Sequence, residues 1–250
     1  MENKRYFLEL AYKGSMYHGW QIQANAHSVQ KEVNTALSVI LRKSIDTMGS
    51  GRTDTGVHAR QQYLHFDFPK KLDKQDLVKR LNSILPNDIS VYDLREVKPD
   101  AHARFNAQWR SYEYHISLRK NPFEVELSWL FFSRLDIKKM NEAAGLLLDH
   151  RDFKCFSKVK TAVNNFECEI KKAHWEQKDQ HLIFHITANR FLRGMVRAMV
   201  GTLVEVGVGK LDLQDFQTIL ESKNRKKAGS SVPPYGLYLC QIAYPESIFI

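Results

Sequence analysis

Only three cysteines, Cys155, Cys168 and Cys240, occur among 250 residues, and no two form a Cys-x-x-Cys pair. An odd, scattered set excludes a disulfide framework and offers no zinc spacing, so the three read as small buried hydrophobes in a reducing compartment. No run approaches the roughly 18 apolar residues of a membrane span. The start, Met1-Glu2-Asn3-Lys4-Arg5-Tyr6, lacks the apolar core of a signal peptide. These absences set the expectation of a cytoplasmic protein. A Gly-x-Gly-x-x-Gly is missing, as is a glycine loop ending in Lys-Ser/Thr, which excludes the common nucleotide-binding loops. His181 and His185 stand four apart, but they sit in an alternating, strand-like segment with no third ligand nearby, so no metal is expected. No linker rich in proline, glycine or serine divides the chain.

What is present is an ordinary globular composition with a basic balance. Hydrophobic residues make up 43% and charged residues 26%, enough to bury a core in one large domain or two smaller ones. Lys plus Arg number 37 against 28 Asp plus Glu, a net charge of +9, and the pI is about 9.4. That excess favours a polyanionic partner, nucleic acid before an anionic membrane surface.

Periodicity divides the chain into alternating strands and helices. Arg5 to Tyr12 reads as a strand with partial alternation, followed by an aromatic loop from Met16 to Gln23. Ser28 stands as the N-cap of a helix carrying Val29, Val33, Ala36, Leu37, Ile40 and Leu41. Gln61 to Phe68 is a strand, and Asp73 caps a helix whose apolar face is Leu77, Leu81, Ile84 and Leu85. Ile89 to Val97 is a strand, His102 to Ala107 an irregular segment holding a basic residue and an aromatic. From Arg110 the chain alternates again, with Tyr112, Tyr114, Ile116 and Leu118 on one face. Asp136 opens a helix through about Leu148, with Met140, Ala143, Ala144, Leu147 and Leu148 as its stripe. A basic, poorly patterned loop runs to Asn165, then strands Glu167 to Gln177 and His181 to Ala188. Phe191 to Leu203 reads as an apolar helix bearing Arg193 and Arg197 on one face. Asp212 caps a helix ending near Lys223, Asn224 to Lys227 is a basic turn, and Gly236 to Ala243 a final strand. The class is α/β (α+β), with two related lobes.

One stretch organises the rest: Gly49-Ser50-Gly51-Arg52-Thr53-Asp54-Thr55-Gly56-Val57-His58-Ala59. Three glycines in eight residues mark a tight turn or a close approach. In extended backbone Arg52 and Asp54 share a face, and a guanidinium there favours an ionised carboxylate, usable as nucleophile or acceptor. Alternatively Asp54 braces its own turn. Tyr112 is either sheet packing or a ring that stacks on a base. Arg193 and Arg197 are either a solvated face or charges with partners on an otherwise apolar helix. Asp54-Thr55-Gly56 matches the aspartic protease triplet, but a second carboxylate triplet is lacking.

Gly51-Arg52-Thr53-Asp54-Thr55-Gly56-Val57-His58-Ala59 resembles the signature G-R-T-D-x-G-V-H-A of the tRNA pseudouridine synthase A family. The likeness extends through His18-Gly19-Trp20-Gln21-x-Gln23, Ser28-Val29-Gln30, His102-Ala103-Arg104-Phe105 and Arg110-x-Tyr112-x-Tyr114. It continues in Phe191-Leu192-x-x-Met195-Val196-Arg197-x-x-Val200-Gly201 and Gly236-Leu237-Tyr238-Leu239. These blocks run in the family's order from near residue 12 to near residue 244. The resemblance implies that Asp54 is the catalytic aspartate, Tyr112 the ring on the target base, Arg197 the basic partner of the aspartate, and Arg52 the arginine that displaces the uridine. It implies a mixed sheet of eight strands in two ferredoxin-like halves, 1–107 and 108–250, which share that sheet around a basic cleft and act as one catalytic unit. It also implies a homodimer without a cofactor, acting on uridines 38, 39 and 40 of the tRNA anticodon stem-loop. A non-catalytic RNA-binding protein of the same fold is the alternative. Thr55, Lys13 and Arg193 stand where Ala, Asp and His are more usual.

Overall fold

Stretches with a period of two become strands and those with a period near 3.6 become helices. The computed structural model describes residues 3–158 and 164–250. In chain order the elements are β1 (Lys4–Tyr12), α1 (Val29–Leu41), β2 (Met48–Gly49), β3 (His58–Phe68), α2 (Lys74–Ile84), β4 (Ile89–Val97) and β5 (Trp109–Ser117). Then come β6 (Trp129–Leu130), α3 (Ile137–Gly145), β7 (Ile170–Lys178), β8 (His181–Ala188), α4 (Met195–Gly207), α5 (Leu213–Glu221) and β9 (Leu237–Ala243). The α/β class holds. The described residues form nine strands rather than the eight the resemblance implies: seven match the strands read from periodicity, and β2 and β6 are two-residue pairings too short to show a period. Among the described residues no helix is long and apolar enough to cross a membrane. The chain divides into two units, Met1–Trp109 with Leu239–Ile250, and Arg110–Tyr238.

In the first unit β1 runs antiparallel to β3 and β4, and β9 lies on the far side of β3. Leu8 stands opposite both Leu64 and Leu94. The alternation of β1 is only partial because both of its faces are covered. Tyr6, Leu8 and Leu10 point one way, whereas Phe7, also buried, meets the rings of Tyr244 at 5.2 Å and Phe249 at 6.2 Å. Asp73 caps α2 as read, accepting from the Asp76 N–H. Its buried face is Leu77, Leu81 and Leu85, while Ile84 is exposed. Ser28 occupies the N-cap of α1 but its side chain makes no capping bond. The first N–H groups of that helix are taken instead by main-chain carbonyls of the aromatic loop: Val29 N by Gly19 O at 3.3 Å and Gln30 N by Trp20 O at 3.0 Å. Cys240 is half-exposed, against the reading that all three cysteines are buried.

The second unit has the order β5-β8-β7, antiparallel throughout, with β6 added parallel to β5. β8 alternates strictly, burying Leu182, Phe184, Ile186 and Ala188. His181 and His185 face the other way and pair with carboxylates, His181 with Glu124 at 2.7 Å and His185 with Glu176 at 3.0 Å. Asp136 and Asp212 both cap helices with their side chains. The helix after Asp136 stops at Gly145, where three successive bonds of the tighter i to i+3 kind end it, leaving Leu148 exposed. Arg193 does not lie on α4. Gly194 takes a left-handed conformation with φ of 71° and sets the helix start after it. The loop read as poorly patterned buries Phe153, Cys155 and Phe156, and residues 159–163 of it lie outside the described residues. Burial pushes the Cys155 thiol up to about 12 and Cys168 to about 11, so neither is ionised near neutrality. In the basic turn, Arg225 hydrogen-bonds the carbonyls of Ala228 and Gly229, bracing its own loop.

One buried histidine makes the first unit sensitive to acid. His65 is 8% exposed, and its Nδ1 accepts the Ala103 N–H at 3.1 Å. Burial, reinforced by His102 and Arg5 and opposed by Asp67, lowers its pKa from 6.5 to about 4. Below pH 6.5 the unfolded chain takes up a proton that the folded imidazole refuses. Stability should therefore fall as pH drops from about 6.5 to 4, by about 3 kcal/mol, and then level off for this group. Urea unfolding across that range should show the loss, and His65→Asn, which keeps an acceptor for Ala103, should flatten it.

Candidate active site

The loop before β3 is held from three sides. Ser50 N donates to Tyr63 O at 2.7 Å, the Ser50 hydroxyl bonds the Gln62 side chain, and Gln62 Nε2 donates to Gly51 O at 3.2 Å. Thr53 points inward, with its Oγ1 2.8 Å from the Tyr12 hydroxyl, and Thr53 O accepts Trp20 N at 3.3 Å. Val57 N donates to Asp54 O at 3.1 Å, so the turn after Asp54 is closed by main chain. His58 Nδ1 accepts Gly14 N at 2.9 Å, pinning the start of β3.

With Thr53 turned in, its neighbours Arg52 and Asp54 face outward. Arg52 is exposed and Asp54 half-exposed, the alternation expected of an extended segment. Arg52 Nε donates to Gln21 Oε1 at 3.2 Å. Gly19 makes the close approach possible. Its φ is 89°, and a Cβ there would lie 2.4 Å from Thr53 O. The sequence marked the aromatic loop and its His18-Gly19-Trp20-Gln21 block without showing that it braces Thr53 and meets Arg52. The one local clue was a glycine set between bulky residues.

In the second unit Tyr112 lies on β5 opposite Ile186 of β8. It is half-buried, with its ring edge-on to Phe191 at 5.0 Å and 82°. The next residue on that face, Tyr114, is fully buried and donates to Pro233 O at 2.9 Å. Burial pushes its phenol far above the usual range, which keeps it a neutral donor. Arg197 lies on α4, a helix buried almost all round. It is half-buried, and its Nε donates to Val232 O at 2.7 Å, while Val232 N donates back to Arg197 O at 3.2 Å. This clamp fixes the stem of the guanidinium and was not legible in sequence, because Val232 is 35 residues away. Arg52 and Asp54 are therefore brought together on one loop of the first unit, and Tyr112 and Arg197 stand on β5 and α4 of the second.

A braced loop presenting an aspartate beside an arginine, in an α/β chain, fits what the comparisons give. A family model described as tRNA pseudouridine synthase matches residues 143–245. The chain is 49% identical over 251 residues to tRNA pseudouridine synthase A of Bacteroides fragilis, covering 100% of both chains. It is 47% identical to the protein of that name from Porphyromonas gingivalis, covering 98% of this chain and 99% of the other. It is 35% identical to the one from Exiguobacterium sibiricum, with 98% of each covered. The chain belongs to the tRNA pseudouridine synthase A family.

Proposed function

We propose that this protein isomerises uridine to pseudouridine at positions 38, 39 and 40 in the anticodon stem-loop of tRNA. The observation that supports this most is the loop that presents Asp54 outward beside Arg52, in a chain alike over its full length to synthases named for tRNA. The reaction breaks the bond between N1 and C1′, turns the uracil and rejoins it through C5, whose hydrogen leaves as a proton while the freed N1 takes one up. It has no net redox change or hydrolysis, so no cofactor is needed.

The target base must first leave its stack, at a cost of about a few kcal/mol. Arg52 takes the vacated place and the Tyr112 ring packs on the extruded base, which together offset that cost. Asp54 attacks the sugar at C1′ or removes a proton at C2′, with Arg197 as its basic partner. The two halves act as one catalytic unit, and the enzyme works in the cytoplasm as a homodimer. The net charge of +9 supplies phosphate contacts. Binding should weaken steeply with salt, the slope of log K against log salt growing by about 0.7 to 0.9 per phosphate contacted.

The test uses unmodified tRNA transcripts with uridine at 38, 39 or 40, mapped for pseudouridine by carbodiimide adducts that stop primer extension. Enzyme-dependent stops at those positions are expected. Stops confined to other positions would refute the assignment of substrate site, and filter binding between about 50 and 200 mM salt would check the slope.

A further inference from the structure

The segment from Ala101 to Asn106 is a built turn that carries an aromatic ring into solvent. His102 N donates to Asn106 Oδ1 at 2.6 Å, and Asn106 N returns to His102 O at 3.0 Å. His102 Nδ1 accepts the N–H groups of Arg104 at 3.1 Å and Phe105 at 3.4 Å. Ala103 is fully buried, its N–H on His65 Nδ1 and its carbonyl taking the Tyr244 hydroxyl at 2.5 Å. Arg5 Nη1 holds Ala101 O at 3.0 Å. Main-chain and side-chain bonds on both flanks thus fix the turn.

At its apex Phe105 is 76% exposed. Its ring lies 4.3 Å from the His102 ring, tilted by 35°, and the Arg104 guanidinium is 5.7 Å from its centroid. With Nδ1 accepting, His102 is neutral and carries its proton on Nε2. A ring held in water at the tip of a tied turn, beside a guanidinium, has the features of a stacking surface. It offers a largely exposed ring to a planar group and a positive charge to an anion next to it.

We infer that Phe105, backed by His102 and flanked by Arg104, is a stacking site for an unpaired base of the tRNA other than the target uridine, with Arg104 supplying charge toward the adjoining phosphate. This rests on the tRNA reading above. The occupant is a nucleotide rather than a second copy of the chain because the ring's charged neighbour and the +9 balance complement a polyanion.

The experiment measures filter binding of an unmodified tRNA transcript to wild type, Phe105→Ala, Phe105→Leu and Phe105→Trp. Loss of one base stack should raise Kd by about 5- to 150-fold in Phe105→Ala and Phe105→Leu, with an unchanged salt slope. Phe105→Trp should bind within about threefold of wild type or more tightly. A role in packing alone would instead be rescued by Leu. Equal Kd for wild type and Phe105→Ala would overturn the inference while leaving the function intact. So would a change of oligomeric state in Phe105→Ala by sedimentation, which would make the ring a contact between copies. Failure of wild type itself to bind tRNA would overturn the functional reading and this inference with it.

Discussion

Asp54→Asn is expected to lose turnover by at least about 10³-fold while its Kd for tRNA stays within about threefold of wild type. The substitution is nearly isosteric, and the turn it sits in is closed by its main-chain carbonyl and the Val57 N–H, which asparagine retains. The bracing contacts of Ser50, Thr53 and His58 belong to other side chains. What asparagine removes is the negative charge, and an amide is neither a useful nucleophile toward C1′ nor a base toward C2′. Binding draws on the basic excess of the whole chain, and deleting one acidic charge does not weaken it. Single-turnover kinetics with enzyme in excess would read the chemistry, and filter binding would read the affinity. A large rise in Kd with modest loss of turnover would make Asp54 a binding residue instead.

Gly19→Ala is the second substitution with a large expected effect, through structure rather than chemistry. At φ of 89° any side chain is strained, and the new Cβ would stand 2.4 Å from Thr53 O and 3.1 Å from the Asp54 carbonyl carbon. Both obstacles are backbone, so relief requires moving the loop that carries Asp54. A loss of about 2–4 kcal/mol in stability is expected from the strained φ and the overpacking. A shift of the loop by even an ångström should reduce turnover by about 10²-fold. Gly51→Ala is the contrasting case. Nothing lies within 4 Å of its Cβ position, and its stability should stay within about 1 kcal/mol of wild type. Urea unfolding of both variants measures the difference, and equal stability would mean that Gly19 does not set the loop.

Local chemistry was legible in the sequence, and contacts between distant residues were not. Asp73, Asp136 and Asp212 cap helices from within three residues, so composition and position sufficed. Ser28 satisfies the same pattern, yet of the N–H groups its side chain would have capped, Gln30 N goes to Trp20 O in a segment packed nearby and Lys31 N to Ser28's own carbonyl. Arg193 and Arg197 have helical spacing, but the left-handed Gly194 between them ends that register. Phe7 breaks the alternation of β1 because Tyr244 and Phe249, more than 200 residues on, cover its second face. The site divides in the same way. The out-in-out alternation of Arg52, Thr53 and Asp54 matches what was readable from spacing, whereas Gln21 on Arg52 and Val232 on Arg197 depend on tertiary structure.

The most direct test of the central claim is tritium release from unmodified tRNA labelled at uridine C5, with wild type and Asp54→Asn side by side. The C5 hydrogen is lost only when the uracil rejoins through carbon. Release is expected from wild type, and none above background from Asp54→Asn although that variant holds the tRNA. Tight binding without release by either protein would contradict that claim and identify a tRNA-binding protein that no longer carries out the isomerisation.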